Sequence, residues 1–569
     1  MSRPPIEFII RGAIVIAANP GGLELAEEIG IANGRVVAVG RKDQLAVGPG
    51  TRVVDAGDAA VIPGIHDFHL HLVGLARARR QVLLDDARDV GEIAARLSAA
   101  AHGTAPDAWI GGRGWTEAQL RGGVEQLEGA VGDRPVFLIS HDGHSAWASA
   151  AARRRARLDG SSADPAGGRI ERDEHGEPTG ILRERALDIV APLVARLQGE
   201  ALVEPLDATL DELAELGITG ASEAGDYTDE NGVGTDAALG DSYSSLTDLG
   251  HRIDGRLRLT VGIPAAAIGA AAARGFRTGA VLAGRRTLRF GWAKHYTDGT
   301  LGSGTAALFT PGGDAGIVRV TPERLDTDLT AARAAGIGVA LHAIGDRAVA
   351  SALDAVERAP PRPPGVPRDR IEHAQLLRPA DAGRFARLGV VASIQPIHAA
   401  ADRDLVEHGW AGRQGDAYAW RSLAAAGALL AAGSDAPVES VNPWVGMFAA
   451  VHRRLPTDAR DDWRTGQALT ITEALSAYTL APANAVGASD EGHLRVGARA
   501  DLAVLTVGLE VLLRADEELA AIRSAMTMVD GREVPQSPRL PSLAGTPSLR
   551  RSLPRGDCPR PGVCRPTAR

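Results

Sequence analysis

Short apolar runs with the character of strands recur along the chain, and amphipathic, helix-type stretches separate most of them. Near one end, FIIRGAIVIA, EEIGIANGRVVAVG and TRVVDAGDAAVIPG read as strands broken by turn residues, with Asn33-Gly34 as a hairpin signal. Near the other end, HLRVGARADLAVLT and MTMVDGREV have the same character. Neither group can bury its apolar residues alone, so residues 1–62 and 487–536 are expected to pair in one small composite β-sandwich.

Between them, residues 63–486 alternate strand and helix. Eight strands are predicted, ending at His69 to His71, ITGASEA, LRLTVGI, Lys294, IGVALHA, RIEH, VVASIQ and ALLAAGSD. Helical stretches such as DATLDELAELG and PERLDTDLTAARAAG each finish near a Gly suited to a C-terminal cap. The predicted fold class is therefore α/β, a (β/α)8 TIM-type barrel with a β-sandwich built from both chain ends. Residues 73–200, between strands 1 and 2, are too many for a barrel loop and read as a substrate-shaping insertion. Residues 537–569 are rich in Pro, Arg and Ser without apolar periodicity and read as a disordered, solvated tail.

Composition narrows the function classes. A formal net charge of -9 argues against a nucleic-acid surface. No run approaches the roughly 18 apolar residues of a membrane span, and Glu7 and Arg11 interrupt the apolar stretch near the start, which reads as a strand and not a signal segment. The two cysteines, Cys558 and Cys564, both lie in the tail, so a core disulfide or thiolate metal site is not expected and a reducing cytoplasm fits.

The candidate chemistry begins at PGIHDFHLH. In a strand, residues i and i+2 share a face, so His69 and His71 can aim both imidazoles at one divalent cation. Further along, Lys294 in FGWAKHYTDGT, His342 in GVALHAIGD, His373 in RIEHAQ and Asp435 in LLAAGSDAPV each sit at the carboxyl end of a predicted strand, where barrel enzymes gather their sites. A protonated lysine has no lone pair to donate, so Lys294 needs a separate explanation. Outside this set, His144 in DGHSAW and Trp115 in GRGWTE are candidates for touching substrate from the insertion, with core packing as the alternative for each. Asp298, four residues past Lys294, is a third substrate-binding candidate, with a loop cap as its alternative. Asp346 in HAIGD divides in the same way.

Taken in order, PGIHDFHLH, Lys294 with the following Asp-Gly at 298 and 299, HAIGD, EH and GSD resemble the amidohydrolase superfamily. The likeness is to its amidohydrolase family 3 branch, which includes N-substituted formamide deformylase-like enzymes. GRGWTE, DGHSAW and PTGILRE match as well, and the resemblance runs from about residue 6 to about 535. It implies that His69, His71 and Asp435 hold a first metal ion and His342 and His373 a second. It also implies that Lys294 reacts with carbon dioxide to give a carbamate that bridges the two ions. The ions would be two Zn, with Mn, Fe or Co equally suited to such ligands. A hydroxide shared between them would be the nucleophile, and Asp435 would accept its proton and pass it to the leaving nitrogen. Where the branch often has a bulkier residue, this chain has Ala436, which implies a roomier pocket.

The implied activity is metal-dependent hydrolysis of a non-peptide C–N bond in a small molecule, an N-substituted formamide or N-acyl amine. Carbamates, lactones and cyclic amidines are the alternative substrates, although deaminases of cyclic amidines usually lack the lysine ligand. A regulatory or binding pseudo-enzyme on the same scaffold is the reading from another class. No nucleic-acid or membrane partner is expected, and the resemblance leaves room for a homodimer.

Overall fold

The computed structural model describes residues 5–536, apart from 20, 104, 121, 122, 195, 196, 226–238, 283, 411, 414 and 415; the tail at 537–569 lies outside the described residues. Eight parallel strands form the central sheet: Ile65–Leu70, Ile218–Glu223, Arg258–Pro264, Leu288–Tyr296, Val339–Ala343, Arg370–His373, Val391–Ile394 and Leu429–Ala432, here called barrel strands 1 to 8. Each lies beside its neighbours in chain order. The two edge strands meet through backbone hydrogen bonds, Asp435 N–H to His69 O at 2.7 Å and His71 N–H to Ala436 O at 2.9 Å. The sheet is thereby drawn into the predicted barrel, and its seam lies among residues of the candidate site.

The sequence explains this arrangement. Strands such as VALHA and VASI are buried at every position, as parallel strands covered on both faces must be. Inside the barrel, Phe68, Trp292, Ala340, Val391 and Ala431 pack into one apolar cluster, so the interior is filled and side chains beyond it form a floor for the mouth. Outside, the helix Pro322–Ala335 starts at Thr321, whose hydroxyl accepts from Arg324 N–H at 3.3 Å, and ends at Gly336 in the left-handed conformation. Its buried Leu325, Leu329 and Ala332 recur at helical spacing.

Between barrel strands 1 and 2 the chain builds a second, six-stranded sheet. Its order is Gly168–Arg172, Pro178–Glu184, Ser145–Ala148, Val136–Ser140, Ile110–Trp115 and Val82–Leu83. The helices Val90–His102 and Val124–Val131 cover one of its faces through Ile93, Leu97, Leu127 and Val131.

Strands from both ends of the chain share a third sheet of seven strands. Arg532–Glu533, Ser524–Val529, Leu502–Gly508, Arg52–Pro63, Phe8–Asn19, Gly22–Ala32 and Arg35–Gly40 follow one another in it. The Asn33-Gly34 turn has φ of 51° and 74°, the twist a two-residue hairpin needs. This sheet is tied to the barrel by Arg258 at the start of barrel strand 3. Its buried guanidinium donates to Asp501 Oδ2 at 2.9 Å and Asp530 Oδ1 at 2.8 Å. Among the described residues, no helix is long and apolar enough to cross a membrane.

Candidate metal centre

The barrel mouth brings His69, His71, Lys294, His342, His373 and Asp435 to the wall of one cavity. His69 belongs to barrel strand 1, while His71 stands at the N-terminal boundary of the helix Leu72–Ala78 that follows it. Lys294 lies within barrel strand 4, His342 in strand 5 and His373 at the end of strand 6. Asp435 follows strand 8.

Asp435 is the hub. Its Oδ1 lies 3.0 Å from His71 Nε2 and 3.3 Å from His69 Nε2, while its Oδ2 faces His398 Nε2 at 3.6 Å and His373 Nδ1 at 3.9 Å. His69, His71 and Asp435 thus present three ligand atoms within 4.8 Å of one another, and so do His373, His398 and Asp435. Both Asp435, at φ 62°, and His373, at φ 72°, hold left-handed backbone conformations that side chains disfavour, a strain typical of functional positions.

The donor set fits divalent metal ions. His69 Nε2, His373 Nδ1 and His398 Nε2 are buried and, among the described residues, make no hydrogen bond. Burial lowers the pKa of His69 and pushes those of His342 and His373 well down, which keeps their lone pairs available at neutral pH. Burial opposes ionisation of Asp435 too, but the neighbouring His69 and His71 outweigh it and hold the carboxyl well below its usual range. Burial is the strongest single influence on His71 and lowers its pKa, but the hydrogen bond to Asp435 and the charges of Asp435 and Glu223 together outweigh it and push the pKa upward.

Ligand orientation comes from the residues behind. His69 Nδ1 lies 2.6 Å from Glu372 Oε2, and Glu372 is itself gripped by Arg370. His71 Nδ1 is in close contact with the Gly225 carbonyl. Such contacts fix the tautomer that offers Nε2 to a metal. Asp67, in the same PGIHD stretch, accepts from Ser434 N–H at 2.9 Å and His69 N–H at 3.2 Å, which joins the first ligand strand to the last.

Lys294 is buried, with Nζ 5.0 Å from the Tyr296 ring centre, and its charge acts on His69, His342, His373 and Glu372. His342 stands beside His373, with ring centres 4.7 Å apart. Its Nε2 lies 3.2 Å from Gly299 O and 3.6 Å from Asp298 Oδ1, and it is not part of either three-residue cluster.

The remaining sequence candidates fall in different places. His144 lines the cavity, stacks on His342 with ring centres 5.1 Å apart, and is held by Glu184 Oε2 at 2.9 Å from its Nδ1. Asp298 is buried behind the wall and accepts from the N–H groups of Ala307, Ile344 and Gly345 at 2.9 to 3.0 Å; burial raises its pKa to about 7. Asp346 accepts from Phe309 N–H at 3.1 Å and pairs with Arg413 at 2.7 Å, which braces loops outside the cavity wall. Trp115 points away from the cavity into the insertion's apolar cluster, where its indole N–H donates to Leu138 O at 2.8 Å. A register shift at Gly114, φ 98°, is the cause: it flips Trp115 to the opposite face from Arg113.

His398 has no place in the sequence reading. It sits on the helix Pro396–Ala401, four residues beyond the end of barrel strand 7. Its signal was a histidine closely following a predicted strand, in IQPIHAA, obscured because the helix intervenes.

An eight-stranded barrel with histidine and carboxylate clusters at its mouth defines a metal-dependent hydrolase. The model of the amidohydrolase family matches residues 52–535, and the chain belongs to that family; its reaction class is hydrolysis of a C–N bond. Over 509 residues the chain is 31% identical to Protein LONG AFTER FAR-RED 3 of Arabidopsis thaliana, covering 86% of each chain. It is 27% identical to N-substituted formamide deformylase of Arthrobacter pascens over 92% of this chain and 98% of that one. Among solved structures it resembles an uncharacterized metal-dependent hydrolase from Pyrococcus horikoshii, with a TM-score of 0.67 and 27% identity over 87% of this chain and 96% of the other.

Proposed function

We propose that this enzyme hydrolyses small amides, N-substituted formamides or N-acyl amines, with two zinc ions, in the cytoplasm and without nucleic-acid partners. The observation that carries the reading is Asp435 shared between two groups of imidazoles. The likeness to a formamide deformylase supports the substrate class. His69, His71 and Asp435 would hold one ion. His373 and His342 would hold the other, together with Lys294 once its neutral amine has added to carbon dioxide, forming an N–C bond and releasing a proton. His398 stands on the same side of Asp435 as His373, placed to contact whatever binds there.

A bound divalent ion supplies charge that polarises an amide carbonyl and acidifies water. The protein does the rest. Asp435 takes a proton from the attacking water and returns it to the leaving nitrogen, a role for which it is ionised and centrally placed. His144, locked by Glu184, forms the adjoining wall, and the insertion adds the apolar side chains of Phe137, Ile139, Leu187 and Val194 to the cavity lining.

Metal analysis joined to a substrate panel of formamides, acetamides, carbamates and lactones tests this. Two transition-metal ions per chain, with amide hydrolysis abolished by chelation and restored by metal, are expected; full turnover in metal-free protein overturns the reading. For Lys294, carbon-13 bicarbonate labelling at neutral pH should show a carbamate. Lys294→Ala should lose metal and activity, with partial rescue of both by acetate, and an unmodified amine in the loaded enzyme excludes the bridge.

A further inference from the structure

One buried cation in the cavity is unused by the metal chemistry. Arg113, 8% exposed, lines the same cavity as the metal centre, and among the described residues no hydrogen bond or ion pair holds its guanidinium. Its position follows from strand geometry. In the insertion, Ile110–Trp115 pairs in parallel with Val136–Ser140, setting Gly111 beside Phe137 and Arg113 beside Ile139. These four side-chain positions face the cavity, whereas Ile110 and Leu138 face the insertion's own core. At Gly111 a side chain would meet only Gln81, at 3.8 Å, so its absence leaves open space next to Arg113.

The acids nearby do not satisfy this group. Asp85 Oδ1 is taken by His141 Nδ1 at 3.1 Å, and Glu439 Oε1 by His141 Nε2 at 3.1 Å. Burying a guanidinium without a hydrogen-bonded partner is unfavourable, and the group is kept where it can receive a planar anion. Asp85 and, to a lesser degree, Asp435 act electrostatically on Arg113 without a hydrogen bond to it, and Arg113 and the metal-centre residues line the same cavity. The cavity measures about 360 Å³, a size suited to such a ligand, and Trp109, Phe137, Ile139 and Leu197 make much of the wall apolar.

We propose that Arg113 binds a carboxylate on the far end of the substrate, so that the preferred substrates are small amides bearing a carboxylate and an apolar body. This rests on the amide-hydrolase reading above and specifies its substrate class. No covalent step is added; Arg113 orients the molecule so that its amide reaches the metal ligands.

The test uses the metal-loaded full chain and a matched pair, N-acetylphenylalanine as both enantiomers and N-acetylphenethylamine, which lacks only the carboxylate. Calorimetry reads binding and amine release reads turnover. The anionic member should bind about tenfold or more tightly, the scale of a charged hydrogen-bonded pair, and kcat/KM should follow. Arg113→Gln should lower the affinity for the anionic member about tenfold more than for the neutral one, and Arg113→Lys should recover part of the difference. Equal affinities in the unaltered protein overturn the proposal without recourse to any variant, as does an equal loss for both ligands in Arg113→Gln. Selective binding of the anion with no hydrolysis of either amide upholds Arg113 as an anion site and instead counts against the amide-hydrolase reading.

Discussion

Nδ1 of His69 lies 2.6 Å from Oε2 of Glu372, a contact between barrel strands 1 and 6 across the interior. Behind it, the Arg370 guanidinium lies 3.8 Å from the Phe68 ring centre and 5.0 Å from that of Trp292, and donates to Glu372. The packed interior thus reaches the candidate ligand His69 through two polar side chains. Glu372→Gln keeps the shape but weakens the acceptor that fixes the His69 tautomer. Metal affinity should fall about 10- to 100-fold with the fold intact, measured by competition with a chelator, and an unchanged affinity would show that the contact is only structural.

That most of the candidate metal-binding residues gather at one cavity was legible in the sequence because barrel geometry places strand ends together: His69, His342, His373 and Asp435 each lie at or just after the end of a short apolar strand. Glu372 was visible as half of the EH pair, but its role depends on strand 6 facing strand 1 across the barrel, which no local pattern encodes. His398 was hidden by the helix that starts at Pro396 directly after strand 7. Trp115, read from sequence as a substrate contact or a packed core residue, is packed because the bulge at Gly114 turns it away from the face that carries Arg113; the glycine within GRGWTE was the available warning. Strands from both ends were recognised by composition, whereas their union in one seven-stranded sheet arises from pairings such as Leu502 with Pro63, which are remote in sequence.

Asp435 carries the proposed proton transfer, and its replacement separates chemistry from binding. Asp435→Asn retains a side chain of the same shape, able to keep the neighbouring imidazoles apart. Turnover should fall about 10²- to 10⁴-fold with the barrel still folded, the range for a lost acid–base group. Near-normal rates in a variant of confirmed metal content would assign the proton transfer to another residue.

Gly433 is needed where strands 1 and 8 approach. A Cβ there would stand 2.3 Å from the His69 backbone nitrogen and 2.8 Å from Asp67 Oδ1. Neither neighbour can yield without moving barrel strand 1, so Gly433→Ala should cost about 1–3 kcal/mol of stability. It should also lower metal content more than an alanine at an open position such as Gly466, where nothing lies within 4 Å. Equal effects of the two substitutions on melting temperature and metal content would rule out a strand-seam role.

His141 joins the insertion to the loop after strand 8, with Asp85 on one ring nitrogen and Glu439 on the other, each at 3.1 Å. Burial disfavours the charged ring, but the two carboxylates outweigh it and raise its pKa from 6.5 to about 10. A group whose pKa is raised on folding binds its proton more tightly in the folded state, so its stabilisation is complete below pH 6.5 and is lost as pH rises through about 10. His141→Gln should therefore melt below the unaltered protein at neutral pH, and the gap should close as the pH is taken through 10. Comparing the two proteins at each pH cancels the titration of groups they share. A gap in melting temperature of the same size on both sides of that pH would mean that His141 acts by packing and not by its charge.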